Sequence, residues 1–144
     1  MTNNISVVAL FCSDVRQEKG GTETIVGVFP DNVNVPTIPG AFAQMHIYVR
    51  MHVLPSFKPR QIITRIVLPD GSELDRSEMD QGLVERTREK AFANNSPYMG
   101  LVAKFTMVPM HIAQEGRLQV IVSVDDQDHV AGALNLRLAP KAVT

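Results

Sequence analysis

Hydrophobic and polar positions alternate with a period of two along most of this chain, the pattern of strands that bury one face and solvate the other. The clearest run is Phe42 to Val53. Met45, Ile47, Val49, Met51 and Val53 fall on one side, and Gln44, His46, Tyr48, Arg50 and His52 on the other. Ser6 to Val15 is apolar on both sides, with Val8, Leu10 and Cys12 against Val7, Ala9 and Phe11. That composition predicts a strand covered on both faces. Gly20-Gly21 supplies a turn and Thr22 to Phe29 resumes as a β-branched strand, so the two read as an N-terminal hairpin. Gln61 to Leu68 places Ile62, Thr64, Ile66 and Leu68 on one face and stops at Pro69-Asp70-Gly71-Ser72. There proline presets φ and glycine accepts a positive one. Leu101 to Met107, Arg117 to Asp125 and Val130 to Leu138 complete the strands. The last two are joined across Asp125-Asp126-Gln127-Asp128 as a second hairpin.

Two segments break the alternation. Residues 30–40 contain Pro30, Pro36, Pro39 and Gly40, too much proline for a central strand, so a loop or a broken edge strand is expected. Farther on, Met79, Leu83, Thr87 and Ala91 recur at helical spacing among Glu85, Arg86, Arg88, Glu89 and Lys90. Ser77 with Asp80 three residues later has the form of a capping box, which predicts one amphipathic helix near residues 78–94, ending before Pro97. Seven substantial strands with an apolar face each need a facing sheet to bury it. The expected fold is mostly β: a two-sheet antiparallel sandwich with one inserted helix, a single domain over residues 1–144. A β-barrel is the alternative, because closure leaves no mark on the pattern.

Composition narrows the partners. Fourteen basic and fifteen acidic residues leave a formal charge of -1. That balance supplies no electrostatic reason to expect nucleic acid or an anionic membrane surface. The helix mixes both signs, as a solvated face does. One cysteine, Cys12, excludes an internal disulfide and suits a reducing compartment. The apolar run Ile5 to Phe11 is short and lacks the basic flank of a signal peptide, so a cytoplasmic location is expected.

Phe11-Cys12-Ser13-Asp14-Val15-Arg16-Gln17-Glu18, followed by Gly20-Gly21 and Gly27-Val28-Phe29, resembles the opening of a family of small uncharacterised bacterial proteins. In that family a Cys-x-Asp-x-Arg-x-Glu run leads through a glycine turn to a Gly-x-Phe or Gly-x-Tyr strand end. Gly116, then Val122-Ser123-Val124-Asp125-Asp126, then Ala131-Gly132 and Leu134, is similar at the C-terminal side. The resemblance implies a β-sandwich and a bacterial or phage origin. It implies no activity.

Candidate chemistry is sparse. Phosphate-binding glycine loops, a Gly-x-Ser-x-Gly elbow and a Cys-x-x-Cys pair are absent from the sequence. Cys12 lies in the most apolar strand with no histidine near it in sequence, which reads as a core thiol. His46 and His52 share a face, but six strand residues separate them by about 20 Å, too far for one metal ion. No cofactor is expected. Two acidic segments, one with Asp70 and Asp75 and one with Asp125, Asp126 and Asp128, offer the oxygen ligands calcium prefers, although aspartate is also the ordinary turn residue. The face of His46, Tyr48, Arg50 and His52, with Arg65 beside it if the strands pair, has the residue types interfaces favour and neither Lys nor Glu.

The leading expectation is therefore a non-catalytic protein-interaction or structural module, self-associating as a homo-oligomer or binding a protein partner. A ligand-binding domain, with calcium or a small molecule at the acidic loops, is the alternative. A hydrolytic enzyme using acidic loop residues with a histidine such as His129 ranks last.

Overall fold

The computed structural model describes residues 4–140. Strands β1 (Ile5–Gln17) and β2 (Glu23–Val28) form the expected hairpin. Short strands β3 (Asn32–Val35) and β4 (Gly40–Phe42) follow, and then β5 (Met45–Val53), β6 (Ile62–Val67) and β7 (Glu73–Glu78). Helix α1 (Gln81–Ala93) leads into β8 (Met99–Met107), β9 (Met110–Ile112), β10 (Gly116–Val124) and β11 (Gln127–Leu138).

Two sheets carry the fold. One has four strands in the order β2-β1-β5-β8; the other has five, in the order β3-β11-β10-β6-β7. Neither closes into a barrel, and the architecture is that of a sandwich. Register explains the shared core. Phe11, Ile47 and Phe105 line up across β1, β5 and β8, and Ala9, Val49 and Ala103 form the next inward row. The facing sheet contributes Leu118, Val120, Val122 and Val124 from β10, Leu134 and Leu136 from β11, and Ile62 and Ile66 from β6, all buried. Along one side the sheets approach closely at Gly132, where an added Cβ would lie 3.0 Å from the Ala9 carbonyl oxygen. On the other side α1 crosses from β7 in one sheet to β8 in the other, with Val84 and Ala91 buried. Arg88 Nε donates to the Pro55 carbonyl at 2.8 Å and ties the helix to the loop after β5.

Several details depart from the sequence pattern. The helix cap is Asp80, whose carboxylate accepts from the Leu83 N–H at 3.1 Å; Ser77 belongs to β7 and pairs with Thr64. Strand β7 shows no alternation because both its sides face solvent, as a charge-protected edge strand can. Helix burial runs through Val84 and Ala91, while Leu83 is 41% exposed. The sheets are not wholly antiparallel, because β3 pairs parallel with β11. Strands β4 and β9 make a separate two-stranded ribbon, each too short for a period to show. Full cover of both faces of β1 also fails, since Val8 is 49% exposed.

Candidate functional site

The outer face of the four-stranded sheet is built by register alone. Cys12, His46 and Thr106 form one row across β1, β5 and β8; Leu10, Tyr48 and Lys104 form the next. Val8, Arg50 and Val102 follow, and then Ser6, His52 and Gly100. The two ends of this face differ in kind.

At the end near Cys12 the sheet covers itself. Lys104 on the edge strand β8 binds Glu23 of β2 at 2.7 Å, although three strand spacings, about 14 Å in a flat sheet, separate β8 from β2. The β1–β2 hairpin must therefore curl back over the face. Beneath it Cys12 is fully buried and its Sγ donates to the His46 carbonyl at 3.5 Å. Burial pushes the Cys12 thiol up; the Asp14 backbone N–H pulls against this, and the Asp14 charge adds a smaller upward push. The His46 ring is occupied elsewhere. Its Nδ1 lies 3.1 Å from Thr106 Oγ1, and its Nε2 lies 3.0 Å from Gln44 Nε2 and 3.6 Å from Asp14 Oδ1. The fold thus brings a cysteine, a histidine and an aspartate together, which no sequence spacing announced. The thiol is held protonated and the ring nitrogens face other partners, so the trio has the bonding of a packed polar row.

The end near Arg50 is open. Arg50 Nε donates to His52 Nε2 at 3.2 Å, so that nitrogen acts as the acceptor. The His52 ring stacks on Tyr98 with centroids 5.5 Å apart and planes 20° apart. Val8, at 49% exposed, and Val102, at 37%, stand opposite Arg50 on the two neighbouring strands, and Tyr98 is 52% exposed. Among the described residues no carboxylate comes within ion-pair distance of Arg50.

A family model matches residues 7–138, from early β1 to the last residue of β11. The chain belongs to that family, DUF6941, a family of unknown function. This agrees with the expectation of an uncharacterised family and brings no activity with it. No curated protein matches the chain.

Elsewhere in this DUF6941 chain the structure separates what the sequence grouped. Arg65 is not beside the His46–His52 face. It lies on β6 in the other sheet, between Ile121 and Arg76, and its Nη2 binds Asp128 at 3.0 Å. Strands β5 and β6 are consecutive but enter different sheets, so the pairing that would put Arg65 on this face does not form. The two acidic segments stand at opposite ends of the five-stranded sheet, because Val124 pairs with Ile62 at the start of β6 while Asp70 follows its end. Four of the five carboxylates, those of Asp70, Asp75, Asp125 and Asp128, are spent locally. Asp125 accepts from the Arg60 and Gln61 N–H groups at 2.8 and 2.9 Å, and Asp128 accepts from Ser123 Oγ as well as Arg65. Asp70 accepts from the Ser72 N–H and hydroxyl at 2.8 and 2.5 Å, bonds that hold its carboxyl below the usual range. Asp75 accepts from the Arg76 N–H, and Asp126 occupies the turn at φ 70. Among the described residues no three His, Cys, Asp or Glu side chains converge on a metal position. His111 sits on β9 and His129 on β11, where it pairs with Val122 of β10, so neither joins His46 and His52 on β5.

The sequence reading missed one feature altogether. At the sandwich end near the β6–β7 turn, a cavity of about 210 Å³ is lined by Leu68, Leu74, Met107, Met110, Ile112 and Leu136 among others. Its walls come from separate elements whose apolar residues each looked like ordinary core.

Proposed function

We propose that this chain is a non-catalytic interaction module that self-associates through the open outer face of its four-stranded sheet. The observation that carries the reading is the Val8–Arg50–Val102 row, with the His52–Tyr98 stack beside it. Exposed aliphatic and aromatic groups around a guanidinium without a carboxylate are what the centre of an interface is made of. The open part of the face spans three strands, β1, β5 and β8, at the Arg50 and His52 rows. A near-neutral balance of charge supports a protein partner rather than nucleic acid or an anionic membrane. Among the described residues no helix is long and apolar enough to cross a membrane. The sequence resemblance supports a bacterial or phage origin, and the single buried cysteine supports a reducing, cytoplasmic setting.

The test is mass in solution by light scattering at two concentrations. The natural chain is expected at twice 15.9 kDa or a higher multiple. A variant with Tyr48→Ser and Arg50→Ser, folded by circular dichroism, is expected at 15.9 kDa. A natural chain that stays monomeric, or a double variant that assembles as before, overturns the proposal.

A further inference from the structure

The cavity on the core side of the five-stranded sheet has a floor and a mouth. Met110, Ile112 and Leu136 of its lining are buried, whereas Asp70, Leu74, Ala113 and Gln114 are exposed. Leu68 and Met107, both half-buried, stand between the two levels. The floor is therefore wholly apolar, and fixed charge sits at the mouth. The lining contains neither lysine nor arginine, and its one carboxylate is that of Asp70. The Ser72 N–H and hydroxyl both donate to Asp70 Oδ1, and they hold this carboxyl below the usual range. Among the described residues no hydrogen bond reaches Asp70 Oδ2, and no Lys, Arg or His comes within ion-pair distance of the group. One such oxygen is too few for calcium, which takes six to eight, but it is enough for an ammonium group.

We propose that this cavity binds a compact aromatic amine, with the ring on the Met110–Ile112–Leu136 floor and the ammonium group at the mouth beside Asp70. The size of the body follows from volume. An apolar cavity of about 150 Å³ accepts benzene, so about 210 Å³ accepts a phenyl ring with a two-carbon arm. A void forfeits the contacts its lining atoms would make, and a ring placed there restores them. The thioethers of Met107 and Met110 adapt to such a body and make favourable sulfur–aromatic contacts. The sign of the head follows from charge: an ionised carboxylate with no cation beside it attracts an ammonium group and repels a carboxylate. His111 and Gln114 supply the other polar side chains of the lining. Met107 adjoins Thr106 of the Cys12 row, so the cavity lies toward the covered end of the four-stranded sheet. Binding there is independent of assembly at the Arg50 end.

The probe is 2-phenylethylamine, compared with 2-phenylethanol and phenylacetate by titration calorimetry and by NMR of protein labelled at its methionine methyl groups. The amine is expected to bind about threefold tighter than the alcohol and about tenfold tighter than the acid, modest ratios because the Asp70 carboxylate is exposed to solvent. Met107 and Met110 resonances are expected to shift, while those of Met51 and Met99, toward the other end of β5 and β8, stay in place. Asp70→Asn keeps the acceptor for Ser72 and is expected to bring amine and acid within about twofold of each other, leaving the alcohol unchanged. Ala113→Trp, at the exposed mouth, is expected to abolish binding of all three compounds while the circular dichroism stays native. The proposal is overturned by unshifted Met107 and Met110 at millimolar amine, or by equal affinity of the natural chain for amine and acid. An amine preference that persists in Asp70→Asn, or binding that survives Ala113→Trp, overturns it as well.

Discussion

The closest approach of the two sheets can be tested with one methyl group placed at two glycines. At Gly132 on β11, a Cβ would lie 3.0 Å from the Ala9 carbonyl oxygen, 3.1 Å from Ala9 Cβ and 3.4 Å from Phe11 Cε2. Two of these neighbours belong to the backbone or the root of a side chain on β1, so neither can swing aside. At Gly100 on β8 the same Cβ meets nothing within 4 Å. Both glycines lie in strands, where replacing glycine with alanine stabilises by about 0.4–1 kcal/mol through the unfolded chain when the site has room. Gly100→Ala is expected to show that gain. Gly132→Ala carries the same gain but adds overpacking of about 1–3 kcal/mol, which leaves a net loss of about 1 kcal/mol. The two variants should therefore move in opposite directions, about 1.5–2 kcal/mol apart. Urea unfolding followed by circular dichroism reads this as a shift in midpoint at constant slope. In thermal unfolding a loss of 1 kcal/mol corresponds to about 2–4 °C for a chain near this size. A Gly132→Ala protein as stable as Gly100→Ala would refute the claim that β1 and β11 touch through that residue.

Four further outcomes follow from the same structure. Val84→Ala removes two buried methyl carbons and is expected to cost about 1.5–2 kcal/mol, whereas Leu83→Ala, at an exposed position one residue earlier, should cost under about 0.5 kcal/mol; reversed costs in urea melts would return the helix to the face its sequence suggests. Cys12 is expected to resist dithionitrobenzoate until the protein opens, with labelling that accelerates in sub-denaturing urea, and labelling at the rate of a free thiol would contradict its burial. Because the folded thiol is raised above its unfolded value of about 8.5, its contribution is complete below that pH and is lost as pH climbs through the folded value; Cys12→Ala should flatten the alkaline fall in Tm. Millimolar calcium is expected to leave Tm unmoved, since the Asp70 and Asp125 carboxylates are occupied by turn and backbone donors at opposite ends of a sheet, and a rise of several degrees would show that those bonds yield to the ion.

The sequence by itself determined the strands that alternate. Met45 to Val53 has only one way to bury five apolar residues, because strand side chains change sides at every residue, and the structure keeps that division intact. Both hairpins were legible for the same local reason: glycine or aspartate turns joined adjacent strands. Members of the outer face, from His46 to His52, could be named in advance because they share one strand.

What lay between strands belonged to the tertiary structure. Arg65 went to the other sheet, and the acidic loops went to opposite ends, because sheet membership is decided by burial against partners far away in the chain. Val8 and Val102 became neighbours of Arg50 only through register across three strands. Likewise the β7 edge, the parallel β3–β11 pair and the cavity behind Leu68 and Leu136 leave no period to read. Alternation is a local property of the backbone and is written into each strand. Pairing order and cavities arise from contacts between distant segments, which only the packed chain brings together.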